Sequence, residues 1–327
     1  MRGVCRMAAG CYHRGMRGLI RIVLLAALLG GCGDYYDTDG IVLAPDCDDP
    51  QKVNTVRPRD GADDAYAAGW VVVGLQCPVE TGVITLRTVT DEPVTGLLNL
   101  HQGGRQVRFR PSPPMEPGTT YDAYLDTSDG FREWRFHTSD LGRPTGATEL
   151  AGRALSMHAA RGTLLDPPGV DEQLMIELAT LNTVVQLTSD ATGATVNARL
   201  GGFVPTEEGD PQDPMQPVVD AIAGWDDPVV TFGPVDLIWR MDGWSMSLEQ
   251  ATWTVALAAD LAGGGGGQLQ ARWDVREVAP VFGEDPCLTA AEFGTPCTAC
   301  ADGVPSCLPF LLAHTPANPW FGTLTAN

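Results

Sequence analysis

The chain has 327 residues, which at roughly 100–200 residues per domain is enough for two, and its 44% hydrophobic content is sufficient to bury cores, excluding wholesale disorder. With 38 Gly, 25 Pro and only 7% aromatic residues, it favours many short strands and turns over long helices. The formal charge is −20, from 41 acidic against 21 basic residues, and such a surface repels phosphate backbones, which argues against nucleic acid as a partner.

The first 31 residues carry five arginines (Arg2, Arg6, Arg14, Arg17, Arg21) and no acid, with the apolar run Ile22–Leu29 near their end. That run is too short for a membrane-spanning helix, which needs about 20 apolar residues; a basic start, a short apolar stretch and small residues describe a signal peptide. Either Met1 or Met16 serves as initiator, and Met16-Arg-Gly-Leu-Ile-Arg21 alone supplies a basic start. The sequence Leu29-Gly30-Gly31-Cys32 resembles the lipobox of bacterial lipoproteins. The resemblance implies cleavage before Cys32 and acylation of that cysteine, giving a membrane partner through N-terminal acyl chains. Two or three chains suffice for stable anchoring. Loss of the five arginines takes the formal charge from −20 to −25, so acyl chains rather than charge would hold the protein on an anionic surface. Gly33 rather than Asp follows the cysteine, which by the sorting rule of Gram-negative lipoproteins resembles outer-membrane cargo.

Residues 32–51 form an acidic tether. Asp37-x-Asp39-Gly40, with Asp46 at the closing position, resembles part of a calcium loop, but Tyr35 stands where the first carboxylate belongs. Beyond Cys32 there are six cysteines: Cys47, Cys77, Cys287, Cys297, Cys300 and Cys307. An even number outside the cytoplasm reads as disulfides. The last four cluster, leaving Cys47 and Cys77 as natural partners; the cluster itself allows three pairings. Zinc held by its four thiolates is the competing reading, but only Cys297-x2-Cys300 has compact ligand spacing. A redox Cys-x-x-Cys pair needs a helix start after a strand, and Gly294, Pro296 and Asp302-Gly303 surround this one. Structural disulfides are the expectation, with no metal and no cofactor.

Over residues 52–140 apolar residues alternate with period two. Val71 and Val73 oppose Trp70 and Val72; Val107 and Phe109 alternate with Gln106, Arg108 and Arg110; Tyr121, Ala123 and Leu125 with Asp122 and Tyr124; Trp134 and Phe136 with Arg135 and His137. Turn clusters such as Pro58-Arg-Asp-Gly61, His101-Gln-Gly-Gly104 and Pro111-Ser-Pro-Pro114 separate the runs, a pattern of antiparallel sandwiches. Val56-Arg-Pro58-Arg-Asp60-Gly61-Ala62, Leu75-Gln-Cys-Pro78-Val79, Val107-Arg-Phe109-Arg-Pro111, Met115-Glu-Pro117-Gly118-Thr119-Thr120-Tyr121 and Trp134-Arg-Phe136-His-Thr138 together resemble the bacterial Ig-like domain of the surface-layer SbsA type. The most specific piece is Pro-Gly-Thr-x-Tyr, whose turn feeds Tyr121 into the core. The chain departs from the family at Leu75, usually Phe, and at Cys77, usually polar, and the second departure supports a Cys47–Cys77 staple between tether and sandwich. The resemblance implies a spacer and binding scaffold without catalytic residues, although fold alone does not fix function.

Residues 141–147 read as a linker and 148–327 as a second antiparallel β domain, a sandwich or barrel, ending in the four-cysteine segment. Strands are expected over 151–159, 194–204, 235–241 and 244–248. A hairpin is expected from Trp253-x-Val255-x-Leu257 and Leu269-x-Ala271-x-Trp273, joined by a flexible Gly263–Gly267 loop. The 172–188 stretch fits a helix through Leu174, Leu178, Leu181 and Val185, yet Thr183–Thr188 favours a strand. Glu207–Asp213 reads as an exposed acidic loop.

The motif search for catalysis is negative: there is no HExxH, GxSxG, Walker loop or GxGxxG after a strand. His101, His137, His158 and His314 lie far apart in sequence, and Asp226-Asp227 and Glu207-Glu208 are turn and loop acids. Trp225, Trp239, Trp244, Trp253, Trp273 and Trp320 all fall in the second domain, where core packing is the plain reading and ligand stacking the sharper one. The sequence thus points to a lipid-anchored envelope protein acting as a non-catalytic binding or structural module, with envelope proteins or glycans as possible partners. The alternatives are a carrier of a small apolar ligand in a barrel cavity, a glycan hydrolase using second-domain acids, and calcium-stabilised adhesion.

Overall fold

The computed structural model describes residues 47, 49 and 52–325, apart from 169–170, 207–209, 242, 262 and 284. Cys32, the Asp37–Asp46 segment and Glu207–Glu208 lie outside the described residues. The chain is mainly β, with antiparallel sheets built on two hydrophobic cores.

The alternating runs of the first region become β1 (Val53–Arg57), β2 (Val71–Leu75), β3 (Gly82–Thr88), β4 (Pro93–Val94), β5 (Gly96–His101), β6 (Gln106–Pro111), β7 (Thr120–Thr127) and β8 (Phe131–His137). They form two four-stranded sheets, β1-β2-β6-β5 and β4-β3-β7-β8. Because successive side chains point to opposite faces, Val71, Val73, Val107 and Phe109 of one sheet meet Leu86, Tyr121, Leu125, Trp134 and Phe136 of the other in a single core. Tyr121 is buried, stacks on Phe136 at 5.9 Å, and its hydroxyl accepts the Glu116 N–H at 2.8 Å. The Pro117-Gly118 turn therefore brings an aromatic ring into the core while its polar tip closes the same turn.

The second region supplies β9 (Ala154–His158), β10 (Thr163–Asp166), α1 (Asp171–Leu178), β11 (Asn182–Leu187), β12 (Thr195–Gly202), β13 (Val219–Asp226), β14 (Val229–Arg240), β15 (Ser245–Leu257), β16 (Gly264–Asp274), α2 (Ala279–Phe282), α3 (Pro286–Glu292), β17 (Thr298–Ala299) and β18 (Pro305–Pro319). β9, β11–β16 and β18 pair in chain order, and β18 pairs back onto β9 through Ala317, Asn318 and Pro319, closing an eight-stranded antiparallel barrel. Closure removes the free edges of an open sheet. Eight strands enclose a space just wide enough for side chains to fill or for one small ligand. Here side chains fill it: Trp239 meets Trp253 at 6.2 Å and Phe310 at 6.5 Å, and Trp244 and Trp273 both meet Phe282 of α2, edge to face.

The ambiguous 172–188 stretch is both of its readings in succession. Leu174 and Leu178 of α1, and Leu181 just after it, are buried against the barrel core, and the β-branched run then becomes β11.

The glycine run differs from expectation. The turn lies before it, closed by Ala258 N–H to the Gly263 carbonyl at 2.8 Å, and Gly264–Gly267 form the start of β16. Small size is what the position needs: Gly266 has φ +62°, and a Cβ there would overlap the ring of Tyr66 from the sandwich. Gly266→Ala is expected to cost about 1–3 kcal/mol, as overpacking and a left-handed alanine both do. Denaturant unfolding reads this, and adding Tyr66→Ala should recover part of the loss. A neutral single variant would show that the ring does not rest there.

Candidate functional site

The most developed polar constellation among the described residues lies between sandwich and barrel. It is built on the face of β6 opposite the sandwich core. There Arg108, set on β6 between Val72 of β2 and Asn99 of β5, points to the barrel. Its guanidinium holds the Asp166 carboxylate through two bonds, Nη1 to Oδ2 at 2.6 Å and Nη2 to Oδ1 at 3.0 Å, and also donates to the Leu165 carbonyl and the Gln106 side-chain oxygen. The two side chains are 2% and 11% exposed. Gln102 donates to the same Leu165 carbonyl at 3.1 Å. Around this pair Trp70 and Val72 pack on Leu165, Leu311 and Ala313, while the Trp70 indole N–H donates to Gln268 at 3.3 Å. The Arg105 guanidinium lies 5.7 Å from the ring of Phe293, and Arg110 lies 5.4 Å from that of Trp70.

The alternation placed Arg108 and Val72 on the outward face of the sheet, and that face is covered by the barrel. The presumed linker is held too: the Asp227 carboxylate accepts Thr145 N–H at 2.8 Å, the Thr145 hydroxyl at 2.7 Å and Gly146 N–H at 2.7 Å. Burial raises the Asp227 pKa, but these three donors outweigh it and the net shift is downward.

His314 of β18 sits beside this interface, its ring against Gly69. It adopts φ +60°, and its Nε2 is shielded from solvent without a hydrogen-bond partner. Some of the residue's surface remains accessible, but the ring is enclosed; burial first, and the charge of Arg57 second, push its pKa down to about 4. His101 is lowered by burial and by Arg108.

No known protein family matches the chain, and no curated protein matches it. Among solved structures, the LD transpeptidase LdtMt1 in complex with imipenem is similar at 17% identity over 53% of this chain and 80% of that one, with a TM-score of 0.24. The uncharacterized protein lmo2446 from Listeria monocytogenes EGD-e, in complex with α- and β-D-glucose, magnesium and calcium, is similar at 11% identity over 69% of this chain and 21% of that one, with a TM-score of 0.16. Overlaps at these scores fix neither fold nor function.

The six cysteines among the described residues form three disulfides: Cys47–Cys77, Cys287–Cys297 and Cys300–Cys307. Each cysteine of the Cys-x-x-Cys pair is thus bonded outward rather than to its neighbour. The Cys300–Cys307 bridge is buried beside Glu249, and the three could supply metal ligands within 4.8 Å of one another. In this state both sulfurs are committed to the disulfide, and Glu249 is held by Arg272 at 2.6 Å and by the Ala301 N–H at 3.0 Å. Arg276 braces the same end of the barrel, bonding Asp274 and, at 2.6 Å, Asp302.

The histidines are not brought together. His137 Nδ1 bonds Thr120 at 2.9 Å, and His158 bonds Asn182 at 2.6 Å and meets Phe203 edge to face, its pKa lowered chiefly by burial. Trp225, Trp239, Trp244, Trp253 and Trp273 belong to the barrel core, whereas Trp320 packs with Phe203 outside it and donates to the Asp210 carbonyl at 2.8 Å. The Arg108–Asp166 pair escaped the sequence reading because its halves lie 58 residues apart, and the strand carries a second arginine, Arg110, in the same alternation, so nothing local singled out Arg108.

Proposed function

We propose that the protein is a lipid-anchored envelope component, held by acyl chains on Cys32 after removal of residues 1–31, whose sandwich and barrel act together as one non-catalytic binding or structural module. The observation that carries this reading is the saturated Arg108–Asp166 pair. Both Nη groups of Arg108 are spent on Asp166 and Leu165 across the two domains, and its Nε on Gln106 beside it, so its chemistry is positional: it sets how the sandwich presents the barrel. The tryptophan-filled barrel interior favours this reading over a carrier of a small apolar ligand. Gly33 after the cysteine favours the outer membrane, and envelope proteins or glycans are the partners such a module would meet.

Cys32→Ser tests the anchoring. The unsubstituted chain is expected in the detergent-soluble membrane fraction, and the variant is expected to leave the membrane almost completely, since no acyl chain remains to hold it. Equal membrane retention of both would overturn the reading.

A further inference from the structure

The outer strands of the two sandwich sheets are β1, β5, β4 and β8, and three of them carry features that keep a strand edge from pairing with another chain. β1 ends in Arg57, β4 is two residues long and begins with Pro93, and β8 holds Arg132, Glu133 and Arg135. β5 has no such guard. It reads Gly96-Leu-Leu-Asn-Leu-His101, without a carboxylate, lysine, arginine or proline, and Leu97, Leu98 and Leu100 are 64%, 38% and 40% exposed. The cover that the barrel gives this sheet stops one strand short: Arg108 of β6 is buried, whereas Asn99 opposite it on β5 is exposed.

The main-chain groups of β5 divide between its two sides. Ser112 N–H donates to the Thr95 carbonyl at 2.9 Å, and Pro111, opposite Gly96, has no N–H to give. Bonded and non-bonded pairs alternate along an antiparallel ladder. Leu97, Asn99 and His101 therefore bond inward to β6, and Gly96, Leu98 and Leu100 turn their N–H and C=O groups outward. Among the described residues β6 is the one strand paired with β5. Leu98 and Leu100 stand opposite Phe109 and Val107, so their side chains lie on the core-facing side of the sheet.

We propose that β5 pairs with β5 of a second copy of this chain, antiparallel about a two-fold axis at Asn99, which joins two four-stranded sheets into one. In this register Leu98 exchanges both main-chain bonds with the partner's Leu100, the two Asn99 residues face each other, and Leu97 faces the partner's His101. Four leucines then meet on the core-facing side; an axis at Leu98 would set Leu100 against glycine instead. The strand is its own complement, as a two-fold contact requires. Two copies of a chain of formal charge −20 repel each other at long range, and β5 lets them meet without setting like charges opposite one another.

One strand pair buries less than the roughly 1,600 Å² of a standard interface, so the pairing is weak in dilute solution. Confinement to a membrane, which rests on the lipid attachment proposed above, raises the effective concentration and makes the dimer persistent.

Cysteine cross-linking tests the pairing. The axis brings the two Asn99 Cα atoms to about 4.5 Å, within disulfide range. The two Leu97 Cα atoms lie about 14 Å apart, beyond it. Mild oxidation of cells carrying Asn99→Cys should give at least about tenfold more cross-linked dimer than Leu97→Cys gives. Adding Leu98→Lys, which places a charge on the edge, should return Asn99→Cys to the Leu97→Cys level. The same oxidation of Cys32→Ser chains in solution at about 1 mM separates pairing from anchoring. A dimer there but not on cells upholds the pairing and counts against the anchoring. No Asn99→Cys dimer in that solution, or as much from Leu97→Cys, would overturn the proposal.

Discussion

Arg108→Ala is expected to destabilise the folded protein by about 3–5 kcal/mol, because it leaves the Asp166 carboxylate buried without its partner. The figure is a penalty for breaking the pair, not the worth of the pair itself. Two charges taken out of water recover their desolvation only through each other and through their hydrogen bonds. Here Arg108 meets Asp166 twice and also satisfies the Leu165 carbonyl. Removing both charges together should therefore cost far less: Arg108→Met with Asp166→Leu extends the apolar cluster of Val72, Leu165, Leu311 and Ala313 and should fall within about 1–2 kcal/mol of the original protein. Urea unfolding followed by tryptophan fluorescence reports on both domains, since Trp134 lies in the sandwich core and Trp239, Trp253 and Trp273 lie in the barrel. A loss under about 0.5 kcal/mol for Arg108→Ala would show that the two domains are not joined through this pair.

The second large effect is a loss of stability between pH 6.5 and pH 4. His314 has a folded pKa of about 4, against about 6.5 in an unfolded chain. In that window the unfolded chain binds a proton that the folded chain refuses, so stability is full above about pH 6.5 and declines as pH falls, levelling near pH 4. The difference corresponds to about 3 kcal/mol for a full shift. His101 and His158 are lowered by burial as well and slope in the same direction. The test is thus the difference between the original protein and His314→Asn, a residue that tolerates the φ of +60° found there. The variant should keep most of its stability down to pH 4. Asp227, Asp274 and Asp302, whose folded pKa values are depressed, lose their contribution only below their unfolded value near 3.8, outside this window. An acid limb of the same depth in the variant would contradict the assignment to His314.

Individual residues show what was legible beforehand. Period-two alternation put Tyr121, Leu125, Trp134 and Phe136 on one face, and all are buried, because a strand's two faces are decided by its own sequence. The same alternation assigned Arg108 to the opposite face correctly, but what covers that face is a strand 58 residues away, and no local pattern carries that information. The glycine run failed for a related reason. Five glycines in isolation describe a flexible turn, and it is the Tyr66 ring lying on Gly266, with Leu141 against Gly265 and the Ala256 and Thr315 carbonyls against Gly264 and Gly267, that explains why the strand lacks side chains there. Cysteine counting singled out Cys47 and Cys77, whereas the pairing within the last four depended on α3 and β18 bringing Cys287 to Cys297 and Cys300 to Cys307.

A disulfide-closed module carried on an acylated Cys32, as proposed above, has a distinctive mass, which mass spectrometry of the membrane-extracted, denatured protein reads. The expected mass is that of a chain beginning at Cys32, heavier by two or three acyl chains with their glyceryl group and lighter by the six hydrogens lost in three disulfides. A mass matching an unmodified chain, or one that still includes residues 1–31, would contradict it.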